Sequence, residues 1–321
     1  MKKIIIILLV VCICVFVYYL FKNYKENSEY PKNKILLCCP INGLNDTFVQ
    51  ILKCYNYCVT NNRTLFINTK VNYKQSMNYN FYDFFIFRNT NLNIIYDTNK
   101  INEIFKNNKF SVFKNLDKYL NSNYTEPEMQ YIKSVTPNIL YDNEKNISLT
   151  FDFNKKYNEN ILLHMQGGGG DGYKLFNYID INNKIKNILK LKLDVLSNNY
   201  ISIYIRNTDI KSDYKTLFNK NEKIIKNNNN TIFLATDSKE VVDYFKKKNK
   251  NIYNFSSFPK NKYYNLHNSD INTNTKVTDS IIDLYLLGLS KSIISNSNSG
   301  FYKLAKHLNL NKRLINLNNI N

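Results

Sequence analysis

The apolar positions of this chain fall into short continuous runs separated by stretches of helical spacing, and that alternation predicts most of its elements. KILLCCP (34–40) is an apolar run closed by Pro, as in a strand buried on both faces. INGLND then reads as a turn. TFVQILKCYNYCVTNN (47–62) puts Phe48, Ile51, Leu52, Tyr55 and Val59 at helical spacing, and RTLFINT (63–69) is a second strand, completing a βαβ unit. NILLHMQ (160–166) is a further strand, followed at once by GGGGDG. After a helix over 184–196, strands at 200–206, 231–237, 251–256 and 291–297 alternate with helices near 219–227 and at 238–249, 277–290 and 299–308. This order predicts parallel, doubly wound sheets. Residues 70–155 are aromatic- and Asn-rich without a clean period, and are assigned only to the remainder of the first domain. The division is therefore 26–195 and 196–321, with no internal repeat.

Residues 4–21 break the pattern. IIIILLVVCICVFVYYLF is eighteen apolar or aromatic residues without a charge. As a helix it spans about 27 Å, enough to cross a hydrocarbon core. Tyr18 and Tyr19 sit where an interfacial aromatic belt belongs, and Lys2 and Lys3 flank the other end. A cleaved signal peptide is the alternative, but its apolar core is usually shorter and no small-residue cleavage pattern follows. The reading is an uncleaved signal anchor within residues 1–25, single-pass and embedded in lipid through 4–21. The basic N-terminus would face the cytosol and the rest a secretory-pathway lumen or the extracellular side, a type II orientation.

Charge changes the picture less than its size suggests. The 321 residues carry 44 Lys and Arg against 25 Asp and Glu, a net charge of +19. Such an excess ordinarily points to nucleic acid or an anionic surface. Here 57 residues are Asn and only four are Arg (Arg63, Arg88, Arg206, Arg313), so the charge is spread Lys rather than a focused patch, and no nucleic-acid partner is expected. Beyond the apolar run the cysteines are Cys38, Cys39, Cys54 and Cys58, either buried thiols or a strand-to-helix disulfide. Three His, no C-x-x-C pair and no D-x-D predict no metal site. Sequons occur at Asn45, Asn62, Asn123, Asn146, Asn229 and Asn254.

Ligands of doubly wound sheets sit outside the carboxyl ends of the strands, and the polar residues gather there. Arg206 closes one strand ahead of Asn-Thr-Asp209; its planar fork suits a phosphate, an ion pair with Asp209 or Asp213, or both. Asp237 follows the next strand, placed for ribose hydroxyls, a base N–H or a helix cap. Ser295, Ser297 and Ser299 precede the last helix, as an anion site at its N-terminus or as simple caps. Five of the eight glycines fall in Gly167–Gly170 and Gly172, where either backbone approaches a partner closely or a loop is flexible. His164, just before them, is either a packed strand-end histidine or a base.

Three of these segments resemble the motifs of the fucosyltransferase-like families. GLNDTFVQILKCYNYCVTNNRTLFINT (43–69) looks like their first βαβ turn, which typically reads G-L-G-N-Q: Gly43 and Leu44 match, Asn45 replaces the second Gly, which its tolerance of left-handed backbone permits, and Asp46 replaces the Asn. ISIYIRNTD (201–209) resembles the H-x-R-x-x-D motif of α-1,2-, α-1,6- and protein O-fucosyltransferases, with Arg206 and Asp209 in place and Tyr204 where the family has His. TDSIIDLYLLGLSKSIISNSNSGFYKLA (278–305) is similar to the third motif, whose serine contacts phosphate, here Ser297 or Ser299. The resemblance implies a GT-B glycosyltransferase of two Rossmann-like domains with GDP-fucose in the cleft between them, inverting and metal-independent, acting on a glycan or protein hydroxyl. On this reading the donor set is Arg206, Asp209, Asp237, Ser297, Ser299, Gly43, Asn45, Gly168 and Gly169. Arg206 would offset the charge of the departing diphosphate. Asp46, His164 and Asp209 are the candidate bases, Asp46 first because its loop faces the acceptor side. Another nucleotide sugar as donor, or a membrane-tethered glycan- or nucleotide-binding protein without turnover, would keep the same fold.

Overall fold

The computed structural model describes residues 34–70, 78–88, 91–95, 152–159, 161–197, 199–227, 229–260 and 269–318, together with the backbone of three short strands between 129 and 148. The apolar segment 4–21 lies outside them; among the described residues no helix is long and apolar enough to cross a membrane.

β1 (Ile35–Pro40) is buried at all six positions, as its unbroken apolar run requires of a central parallel strand. α1 (Leu44–Asn61) begins at Leu44 rather than at Thr47, because Gly43 takes the N-cap and Asp46 complements the positive end of the helix. Its buried stripe (Leu44, Phe48, Ile51, Cys54, Cys58) lies on β1, and Asn62, left-handed at φ 49°, ends it. Phe48 packs edge-on to Phe85 and Phe176 at 5.2 and 5.4 Å and anchors the first core. β2 (Thr64–Ile67), β3 (Phe85–Phe87) and β4 (Ile94–Ile95) follow, then an antiparallel ribbon of β5 (Met129–Ile132), β6 (Ile139–Asp142) and β7 (Ile147–Ser148). β8 (Ile161–Gln166) pairs parallel with β1, and β9 (Ile179–Ile181) antiparallel with β3. α2 (Asn183–Leu196), capped by the Asn182 side chain, leads into the second half.

There β10 (Tyr200–Ile205) is the central strand. In place of one helix near 219–227 the chain forms α3 (Tyr214–Lys220), capped by Asp213, and α4 (Glu222–Ile225). β11 (Thr231–Thr236), α5 (Lys239–Lys246), β12 (Ile252–Tyr253), α6 (Thr273–Leu289), β13 (Ile293–Ile294) and α7 (Gly300–Leu310) complete it.

The two main sheets run β4-β2-β1-β8 and β12-β11-β10-β13, parallel throughout. Each places its own strands in the order third, second, first, fourth. The direction of winding therefore reverses between first and fourth strands, and a crevice opens at their carboxyl ends. In one sheet that crevice lies between the loops after Pro40 and Gln166, in the other between those after Ile205 and Ile294. α7 packs on α6 and also meets α1 and the turn at 172–177, so the two crevices are joined. The cysteines at 38, 39, 54 and 58 are buried free thiols, not a disulfide.

Candidate active site

The loop after β1 turns through Asn42, left-handed at φ 74°. Gly167, directly after β8, lies so close that a Cβ there would stand 2.3 Å from Asn42 Nδ2 and 2.9 Å from the Ile41 carbonyl, so a side chain would displace the Asn42 loop. Gly168 and Gly169, at φ 76° and 93°, then carry the loop away. Asn45 contradicts its sequence reading: it is helical, in the first turn of α1, and the left-handed residue is Asn42. Its amide instead joins three segments. Nδ2 donates to the Gly170 carbonyl at 3.2 Å, Oδ1 accepts from the Gly172 N–H at 3.2 Å, and a Cβ on Gly300 would come within 2.9 Å of its own Cβ. Thus Asn45 brings the start of α7, from the second sheet, onto the start of α1.

Asp46 is next to it and half-buried. Burial raises its carboxyl above the usual range, against hydrogen bonds from Asn45, Asn42 and the Gly168 N–H. Gly43 contributes its carbonyl to the Thr47 N–H at 2.9 Å and leaves open space above it. His164 is not at the cleft. It is wholly buried, edge-on to Phe153 at 4.8 Å, with Nε2 2.8 Å from Gln50 Oε1. Burial and then the Lys53 charge drive its pKa to about 3, which leaves a neutral ring without solvent contact and unsuited to a base.

On the other side Arg206 leaves the end of β10 and grips Asp209 with two bonds, Nε to Oδ1 at 2.8 Å and a terminal nitrogen to Oδ2. The pairing raises the guanidinium pKa and holds Asp209 below the carboxylate range. Three N–H bonds of the fork remain for an anion. Asp237 is neither a free acceptor nor a helix cap: its oxygens take the Asn207 N–H and the Thr208 hydroxyl, both at 2.6 Å, and so brace the arginine loop. The serines form a relay. Ser295 Oγ donates to the Tyr204 carbonyl at 2.8 Å and accepts from the Ser297 N–H, Ser297 Oγ accepts from the Ser299 N–H, and Ser299 Oγ caps α7 at Tyr302. This relay ties the N-terminus of α7 to the strand that carries Arg206.

Tyr204, Gln50 and Asp283 are sequence misses. Tyr204 is buried, stacked on Phe301 and Tyr302, with its hydroxyl 3.2 Å from Ser299 Oγ. It thus secures the helix cap at the position where the sequence departs from the family pattern. Asp283, an isolated carboxylate in the apolar run of α6, accepts from Ser256 Oγ at 2.6 Å, while its Oδ1 is buried without a partner. Burial pushes it up to about 8. The polarity break in IIDLYLLG was the available signal; nothing in the sequence singles out Gln50.

No family model and no curated protein matches the sequence. Solved structures do. The NodZ alpha-1,6-fucosyltransferase co-crystallized with GDP superposes with a TM-score of 0.54 at 15% identity, over 86% of this chain and 92% of that one. NodZ from Bradyrhizobium gives 0.54 at 14%, over 86% and 92%. POFUT1 in its apo form gives 0.51 at 11%, over 87% and 95%. Across most of both chains the likeness is one of architecture: this chain shares the fold of these fucosyltransferase structures, and its two parallel sheets are consistent with a GT-B arrangement.

Proposed function

We propose that the protein is a glycosyltransferase that takes fucose from GDP-fucose and passes it, with inversion, to a hydroxyl of a glycan or protein, held to a membrane by residues 4–21 in type II orientation. The observation that carries this reading is the meeting of the two crevices. The Arg206 fork, oriented by Asp209, stands at one crevice, and the serine-capped start of α7 lies against Asn45, beside Asp46, at the other. Structures of the same fold hold GDP or GDP-fucose.

The chemistry follows from the charges. The acceptor oxygen bonds to the sugar C1 as the C1–O bond to the diphosphate breaks. The negative charge that develops on the leaving oxygen is met by the free N–H bonds of Arg206, by the α7 amides and by Ser297 and Ser299. The acceptor proton passes to Asp46, whose raised pKa suits a base. The permanent guanidinium does the work a divalent cation would otherwise do, so turnover needs no metal.

Replacement of Arg206 by Ala should lower transfer by on the order of 10²–10³-fold, with the fold intact by circular dichroism. In thermal melts GDP and GDP-fucose should raise Tm and UDP should not, with or without EDTA, since a ligand that binds only the native state stabilises it. An Arg206→Ala enzyme that transfers at the wild-type rate sinks the role given to Arg206, and a wild type that transfers no sugar sinks the transferase reading. A UDP-selective or EDTA-sensitive shift points to another donor, and no shift with any nucleotide points to a binding protein of another kind.

A further inference from the structure

His164 is a buried titratable group that the transfer step does not use, yet it touches the site through one intermediary. Gln50 lies one turn after Asp46 on α1, wholly buried. Its Nε2 donates to the Gly168 carbonyl at 2.6 Å, which leaves Oε1 to face His164 Nε2 at 2.8 Å. Oε1 can only accept, so the imidazole must carry its proton on Nε2 and donate it. Gly168 is thereby held on both sides of its Cα: Gln50 binds its carbonyl, in the peptide that leads to Gly169, and its N–H, in the peptide that comes from Gly167, donates to the Asp46 carboxyl. Gly168 has φ 76° and open space around it, so its neighbours do not fix this backbone sterically.

We propose that His164 and Gln50 are positioning residues, a buried relay that fixes the backbone at Gly168 and through it the Asp46 carboxylate. The proposal rests on the transferase reading for what Asp46 does, not for how it is held. The charged and titratable groups shown around the relay, among the described residues, are Lys53 on α1, whose charge helps to keep His164 neutral, and the thiol of Cys38, a residue that pairs with His164 across β1 and β8. Asp171 and Lys174, which flank the glycine turn, pair with one another at 3.7 Å. A neutral imidazole is essential: a protonated ring would place a cation beside Lys53 in the core.

The test compares Gln50→Met and His164→Phe, singly and together, in the full-length chain. Each removes hydrogen bonds while keeping an apolar side chain of similar size. Loss of the held backbone should lower kcat about 10–100-fold, the scale of a misplaced catalytic group, while affinity for GDP changes less than about threefold. It should also move the acid limb of the kcat profile upward by about one pH unit, because the carboxylate loses a donor that favours its charged form. A side chain that merely fills the core would lower the folded fraction and leave the limb in place. In the double variant His164→Phe should cost nothing beyond Gln50→Met, since it acts only through that residue. Titration of the 13C-labelled Asp46 carboxyl by NMR reads the relay without turnover. A wild type that transfers no sugar, with an Asp46 titration that shifts in Gln50→Met, would sink the transferase reading and leave the relay standing. An Asp46 titration identical in wild type and Gln50→Met, or fully additive losses, would overturn the relay.

Discussion

Asp283 is a carboxyl that prefers its proton, and that preference is measurable. Its pKa in the folded chain is about 8, raised chiefly by burial, against about 3.9 for an unfolded Asp. Between those values the native state holds a proton that the unfolded state has released, so stability falls as pH climbs through that window and levels off above about 8. Asp283→Asn keeps an oxygen for Ser256 and carries no charge. Its melting temperature should therefore match or trail wild type at pH 5 and exceed it at pH 9. A parallel pair of Tm–pH curves would contradict the buried, protonated carboxyl. At this scale, what was legible in the sequence was what acts locally. Arg206 and Asp209 are three residues apart and their pairing could be anticipated from spacing. Asn45 and Gly172, 127 residues apart, could not, nor could the bond between His164 and Gln50, 114 apart. The same limit explains Asp237, whose partners are the Asn207 N–H and the Thr208 hydroxyl of a neighbouring loop.

At the scale of elements the apolar pattern carried far. The strands β1, β8, β10 and β11 formed where their largely apolar runs placed them, because a strand buried on both faces shows as a continuous run rather than an alternation. The later strands shrank: β12 and β13 keep two residues each where six and seven were expected. Residues 295–299 leave the ladder because their hydroxyls serve the backbone of the turn instead. The start of α7 is where an element and the site depend on the same atom. Gly300 has an ordinary backbone, yet a Cβ on it would lie 2.9 Å from the Asn45 Cβ. Gly300→Ala must then push α7 off α1, at a cost of about 1–3 kcal/mol for overpacking. Its transfer rate should fall further than its stability implies, since on the proposed reading the displaced helix holds the diphosphate. Gly288→Ala is the control, because its Cβ would meet Leu308 on α7 at 2.7 Å, inside the second half and away from Asn45. Equal losses of rate in the two variants at equal stability would mean that the Asn45 contact is structural only.

At the scale of the whole molecule, the segment after α7 ties the two halves together. After α7 the chain returns to the first half, where Arg88 donates to the Leu314 carbonyl at 2.6 Å and the Lys186 ammonium to the Asn318 carbonyl at 2.6 Å. Lys186 also pairs with Asp180 at 3.1 Å, and both side chains are out of solvent. Tyr173 stacks on His307 across the same seam at 4.5 Å. A buried lysine with one carboxylate and one carbonyl depends on both, since loss of a partner leaves a charge without compensation in the interior. Removal of residues 312–321 takes the carbonyl from Lys186 and from Arg88 while leaving both sheets and both crevice loops. The full-length chain should melt in one transition, its halves coupled through α7 and the tail. The truncated chain should show two, and GDP should raise only the one that belongs to the Arg206 half, with GDP-fucose turnover lost because Asp46 is no longer held opposite the donor. One unsplit transition in the truncated chain, with turnover preserved, would mean that α7 and Asn45 alone hold the halves together. The cleft would then be set by the helix start and not by the tail.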